Sequence, residues 1–158
     1  MTTYCFDTSA LLDAWNRNYP PDVFPQLWRD LANAIISGAV VAPEEVGVEL
    51  AKKDDALHRW AKKQRGLFCD LDDEQQRGVI EVLERFPRLI DTRRGRSGAD
   101  PFVVALARQR GLVVVTGENN DGSVEKPKIP TACAAFNVRC IKTLEFIREH
   151  RWVFSRRE

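Results

Sequence analysis

No stretch of this chain approaches the ~18 consecutive apolar residues of a membrane-spanning helix. The opening residues Met1-Thr2-Thr3-Tyr4 have neither a basic segment nor an apolar one, so they are expected to enter the fold directly. The Walker A pattern and the glycine-rich dinucleotide fingerprint are both missing, which leaves nucleotide-cofactor chemistry without a foothold. His58 and His150 are the only histidines and are not spaced as ligands, so no catalytic imidazole is expected. Cys5, Cys69, Cys133 and Cys140 contain no C-x-x-C pair. Cys5 and Cys140 fall in apolar runs, where a thiol packs as a small hydrophobe, and core packing is favoured over a disulfide or zinc role. A net charge of +1 excludes a uniformly basic nucleic-acid binder. Repeats, low-complexity tracts and linkers are also absent.

What is present is an ordinary globular composition, with 158 residues, 44% hydrophobic and 30% charged. One domain over residues 1–150 and a short polar tail over 151–158 are expected, with a cytoplasmic address. Short apolar runs at 3–6, 39–42, 112–116 and 138–141 read as buried strands. Helices are expected from Thr8 to Ala14, Val23 to Ser37, Pro43 to about Trp60, and Asp72 to about Phe86. Two more run from Pro101 to Arg110 and from Thr143 to about His150. This alternation predicts an α/β domain around a parallel sheet.

Four carboxylates sit beside the ends of these elements: Asp7 closes the run Tyr4-Cys5-Phe6, and Asp100 stands directly before Pro101. Glu118 follows Leu112-Val113-Val114-Val115-Thr116, and Glu49 lies in the helix that Pro43 begins. Ligands of open parallel sheets bind just beyond the carboxyl ends of the strands. Several acids gathered there cannot all stay ionised without a cation, and hard divalent ions take oxygen ligands. Each acid also has a plainer role. Asp7 and Asp100 can cap helices, and Glu45 suits the positive end of its helix, whereas mid-helix Glu49 has no such explanation. Arg93, Arg94 and Arg96, upstream of Asp100, are either solvated surface or a phosphate-steering cluster, as are Lys52-Lys53 and Lys62-Lys63 with Arg65.

The motifs carry a resemblance. Asp7-Thr8-Ser9-Ala10-Leu11-Leu12 after an apolar strand looks like the opening of PIN-domain nucleases, including the toxin halves of bacterial VapBC-type toxin–antitoxin pairs. Pro43-x-x-Val46-x-x-Glu49-Leu50 resembles their second motif, and the segment from Ala99-Asp100-Pro101 to Ala107 the third. Val114-Val115-Thr116-Gly117-Glu118 matches the fourth in place, and Lys128-Ile129-Pro130 with Cys133 and Asn137-Val138 resembles the closing segment of a PIN-like branch. The fourth motif normally has Asp where Glu118 stands, and Asn119, Asn120 or Asp121 could substitute for it. The loop from Gly117 to Pro130 is long for the family and carries Lys126 and Lys128.

The resemblance implies a three-layer α/β/α fold and an endoribonuclease that uses Mg2+ or Mn2+. Asp7, Glu49, Asp100 and Glu118 would be its catalytic and metal-binding residues. Thr8, Ser9 and Thr116 would position water or phosphate, with Arg93, Arg94 and Arg96 on the substrate. The implied substrate is RNA in single-stranded form, and the implied partners are a small antitoxin and a second copy of the chain, with no membrane. Two alternatives stand beside it. One is a non-catalytic PIN-like interaction module. The other is an Mg2+-dependent phosphatase with Asp7 as nucleophile, although such enzymes carry a second Asp where this chain has Ser9.

Overall fold

The computed structural model describes residues 1–90 and 98–156. Its strands are β1 (Tyr4–Phe6), β2 (Val40–Pro43), β3 (Phe68–Cys69), β4 (Val113–Thr116) and β5 (Cys140–Lys142). They form one sheet in the order β3-β2-β1-β4-β5 with every pairing parallel. β1 is central, with Cys5 opposite Val41 on one side and Val114 on the other. All residues of β1, β2 and β4 are buried, as an all-parallel sheet covered on both faces requires.

The connections are helical. Helix α1 (Thr8–Asp13) continues into a π-helical turn (Ala14–Asn18), and α2 (Pro25–Ile36) returns the chain to β2. Helices α3 (Glu44–Lys53) and α4 (Asp55–Lys62) lead to β3, and α5 (Asp73–Arg85) and α6 (Asp100–Arg110) lead to β4. Helix α7 (Ile129–Ala135) joins β4 to β5, and α8 (Thr143–Glu149) follows. Tyr4 and Phe6, two residues apart and so on one face of β1, both meet the ring of Phe146 in α8 edge to face. Helix α6 crosses β1, β2 and β4 and is covered by α5 and α7. Pro101 and Val103 to Ala107 are all buried, so α6 is apolar on nearly every side, as a helix between two layers must be. The result is the expected three-layer α/β/α architecture.

Several local expectations need correction. The helix expected from Pro43 to Trp60 is two helices. Asp54 takes an extended conformation (φ −156°, ψ 105°) and its side chain accepts from Leu57 N–H at 3.1 Å, ending α3 and capping α4. Strand β3 was not expected because it is two residues long and only half-buried. Helix α7 was not expected either, though Pro130 in its first turn is a helix-start signal. Gly111 ends α6 as foreseen, with φ 68° in the left-handed region. Beyond α8, Trp152 packs edge to face on Phe146 and Phe154 approaches Phe24. Among the described residues no helix is long and apolar enough to cross a membrane.

Candidate active site

From β1 the chain first builds outward through β2 and β3, then crosses to the other side of β1 to lay down β4 and β5. The crevice between the carboxyl ends of β1 and β4 is therefore the topological switch point, where open α/β sheets bind ligands. Asp7 directly follows β1 there and Thr116 ends β4. The Asp7 N–H donates to Val115 O at 3.0 Å, so the sheet itself holds the two ends together.

The Asp7 side chain is 1% exposed. Its Oδ1 accepts from Ala10 N–H at 2.7 Å, which makes it the N-cap of α1. Ser9 Oγ donates to the carboxylate at 2.9 Å and Thr116 Oγ1 donates to Oδ2. Each hydroxyl is fixed from its other side, since Ser9 Oγ accepts from Gly117 N–H at 2.9 Å and Thr116 Oγ1 from Glu118 N–H at 3.1 Å. The two hydroxyls thus adapt backbone donors of the β4 end to a carboxylate at the β1 end.

Burial pushes the Asp7 carboxyl up from 3.8 to about 7, against the hydrogen bonds from Thr116, Ala10 and Ser9, while Glu118 raises it further by repulsion. A carboxylate so placed gains from any positive charge brought beside it. Glu49 is also buried (5% exposed), and its Oε1 accepts from Ala99 N–H at 3.0 Å. Burial raises its pKa too, opposed by Lys53, whose ammonium is 3.9 Å away, and by the Ala99 N–H. The Thr8 hydroxyl lies against Glu49, yet its oxygen is closed off from solvent without a well-aligned hydrogen bond. Glu45, the other acid on this helix, is half-buried and has one buried oxygen without a hydrogen-bond partner.

Asp100 is half-buried and is the first residue of α6, with Ala99 in the N-cap position. The expectation that Asp100 caps this helix is therefore corrected by one residue. Glu49 holds the backbone immediately before Asp100, so a side chain of the second motif anchors the start of the third.

Glu118 has a second engagement, because its Oε2 accepts from Ile129 N–H at 3.0 Å at the start of α7. The longer side chain reaches this donor while remaining close enough to Asp7 to repel it. Two of the possible substitutes for Glu118 are engaged elsewhere, since exposed Asp121 accepts from Lys128 Nζ at 2.5 Å and Asn119 accepts from Lys142 Nζ, while Asn120 lines a cavity with Glu118. Arg93, Arg94 and Arg96 lie outside the described residues.

One acid at the site was missed in the sequence. Asp13, the last residue of α1, places Oδ2 only 2.3 Å from where a β-carbon on Gly117 would stand. The signal was the helical spacing from Ser9 to Asp13, which puts both on one face.

The donor set is chemically suited to a hard divalent cation. It offers carboxylate and hydroxyl oxygens, a buried Asp7 whose charge is unfavourable, and the unpartnered buried oxygen of Thr8. Among the described residues, no three His, Cys, Asp or Glu side chains are grouped so as to hold a metal ion as they stand.

The fold has a counterpart among solved structures. A chain in the crystal structure of DNA-bound VapBC from Salmonella typhimurium superposes with a TM-score of 0.51 at 21% identity, over 90% of this chain and 98% of that one. At that identity the likeness is one of fold, and it agrees with the PIN-like architecture expected from the motifs. No curated protein matches the sequence. A family model spans residues 4–154, which takes in every strand, the switch-point crevice and both aromatic residues that follow α8, and the chain belongs to that family, described as Domain of unknown function (DUF4411).

Proposed function

We propose that this protein is a metal-dependent endoribonuclease that hydrolyses RNA phosphodiester bonds. The observation that carries the reading is Asp7, fully buried at the topological switch point, raised to about 7 and flanked by Glu118. Such a centre is poised for a cation and a phosphate rather than for an apolar ligand. The four-motif resemblance and the likeness in fold to a chain of VapBC support the same direction.

Asp7, Glu49, Asp100 and Glu118 would hold Mg2+ or Mn2+, which when bound supplies a polarised phosphoryl oxygen and a more acidic water. Asp7 must give up its proton to serve, and a pKa of about 7 lets it do so near neutrality. Ser9 Oγ and Thr116 Oγ1 fix the carboxylate, so substrate binding need not reorganise it. The Thr8 hydroxyl is buried against Glu49, where it would help hold that carboxylate in place. Glu118 stands beside Asp7 to orient the attacking water. Arg93, Arg94 and Arg96 would steer the RNA backbone. The phosphatase alternative is weaker because both Asp7 oxygens already accept hydrogen bonds, which lowers nucleophilicity.

By the same resemblance we propose a cytoplasmic toxin that forms a homodimer and is restrained by a small antitoxin, with no role for a membrane. The deciding experiment is cleavage of single-stranded RNA with Mn2+, with EDTA, and with Asp7→Asn. Activity that needs Mn2+ and disappears in Asp7→Asn is expected. Equal cleavage by the variant in metal-free buffer would sink the reading.

A further inference from the structure

A cavity of ≈ 310 Å3 opens beside Asp7 at the carboxyl ends of β4 and β5. Thr116 and Glu118 form the wall nearest the acids, Pro130, Ala134 and Ile141 give an apolar surface, and Lys142 stands at the rim. Its volume is at the small end of ligand sites, enough for one base with its sugar and too small for a duplex. An apolar surface is what a base face requires, and single-stranded recognition works by stacking and edge contacts.

The charges are arranged for a nucleotide rather than a bare anion. Glu118 and Glu145 both line the cavity and disfavour free phosphate inside it. Their oxygens, with the side-chain amide of Asn120, suit the amino groups and hydroxyls of a base and ribose. The Lys142 ammonium donates to the neutral amide oxygen of Asn119, in contrast to Lys128, which is paired with the carboxylate of Asp121. Exchanging a neutral acceptor for a phosphate oxygen strengthens the hydrogen bond.

We propose that this cavity is a nucleotide subsite: it takes the base and ribose of one unpaired nucleotide adjoining the scissile phosphate, with Lys142 on that nucleotide's own phosphate. The proposal rests on the ribonuclease reading for its place in the reaction, but the binding can be measured without the reaction.

The test is calorimetric titration of the four ribonucleoside 5′-monophosphates in EDTA, where no cleavage occurs, with inorganic phosphate as a separate arm. Wild type should bind at least one monophosphate saturably and should bind inorganic phosphate far more weakly. Lys142→Ala should weaken the nucleotide roughly tenfold, as loss of one charge-assisted hydrogen bond does. Ala134→Phe, at an exposed position of α7, should block binding by filling the cavity while melting like wild type. Equal nucleotide affinity in wild type and Ala134→Phe, no binding by wild type, or inorganic phosphate binding as tightly as the nucleotide would each overturn the subsite. If any of these occurs while Mn2+-dependent cleavage persists, only the subsite falls. Binding as expected without any cleavage supports the subsite and removes the ribonuclease reading.

Discussion

Gly117 and Asp13 compete for one space: a β-carbon on Gly117 would stand 2.3 Å from Asp13 Oδ2 and 3.0 Å from the carbonyl oxygen of Ser9. Gly117 directly follows Thr116, so whatever displaces it also disturbs the hydroxyls on Asp7. Gly117→Ala should destabilise the protein by about 1–3 kcal/mol, as overpacking does. For a chain of this size that lowers Tm by roughly 2–12 °C. Adding Asp13→Ala should recover half or more of the loss in a melting series. Additive losses would put the obstruction at the Ser9 carbonyl instead.

Asp7 should leave a signature in the pH dependence of stability. Its pKa is raised from 3.8 to about 7, so between those values the folded protein holds a proton that the unfolded chain has released. Stability from this group therefore falls as pH rises through that window and levels off above about 7. At 1.36 kcal/mol per unit the full effect is of the order of 4 kcal/mol. Asp7→Asn cannot titrate, so in EDTA its stability relative to wild type should improve steadily from pH 4 to 7. Urea melts at four pH values test this, and a difference that does not change with pH would show that Asp7 is not perturbed as its burial implies.

The same proton should compete with metal. Apparent Mn2+ affinity should climb by up to tenfold per pH unit below about 7 and flatten above it, because Asp7 must be ionised to bind. Asp100→Asn should melt at or above wild type in EDTA but gain much less from added Mn2+, since only an intact site gains stability from the ligand. Identical Mn2+ responses in a thermal-shift series would confine Asp100 to a role in the first turn of α6.

Glu49→Gln should reduce RNA cleavage far more than Glu45→Gln. A glutamine at 49 can still accept from Ala99 N–H, so the backbone before Asp100 keeps its anchor while the charge is lost. Both variants should retain wild-type circular dichroism. A larger loss at position 45 would move the site one turn toward the start of α3 on the same face.

Much of this was legible because the strands are short, apolar and closed by acids. Asp7 and Thr116 could be placed at one edge from the runs before them, and α6 from its Pro start and Gly stop. The split at Asp54 was harder, since Val46, Leu50 and Leu57 keep a helical stripe across it and only the extended backbone of one residue breaks it. β3 carries too few residues for any period to show. Asp13 was hidden for another reason: its approach to Gly117 joins two segments over a hundred residues apart, and no local pattern reports that.

That separation also governs when the site can exist. The Asp7–Thr116 hydrogen bond spans 109 residues, and β1, the first strand to be synthesised, waits for β4 before it has a neighbour on its second side. Contacts of such long range close slowly, after much of the chain has collapsed. On a ribosome adding about 5–20 residues per second, the acids of β1 and α3 emerge seconds before the hydroxyl that completes them. A nascent or truncated chain ending before β4 therefore has the acids but no assembled centre. Under the proposed ribonuclease function, the order of the strands withholds the assembled centre until β4 has emerged.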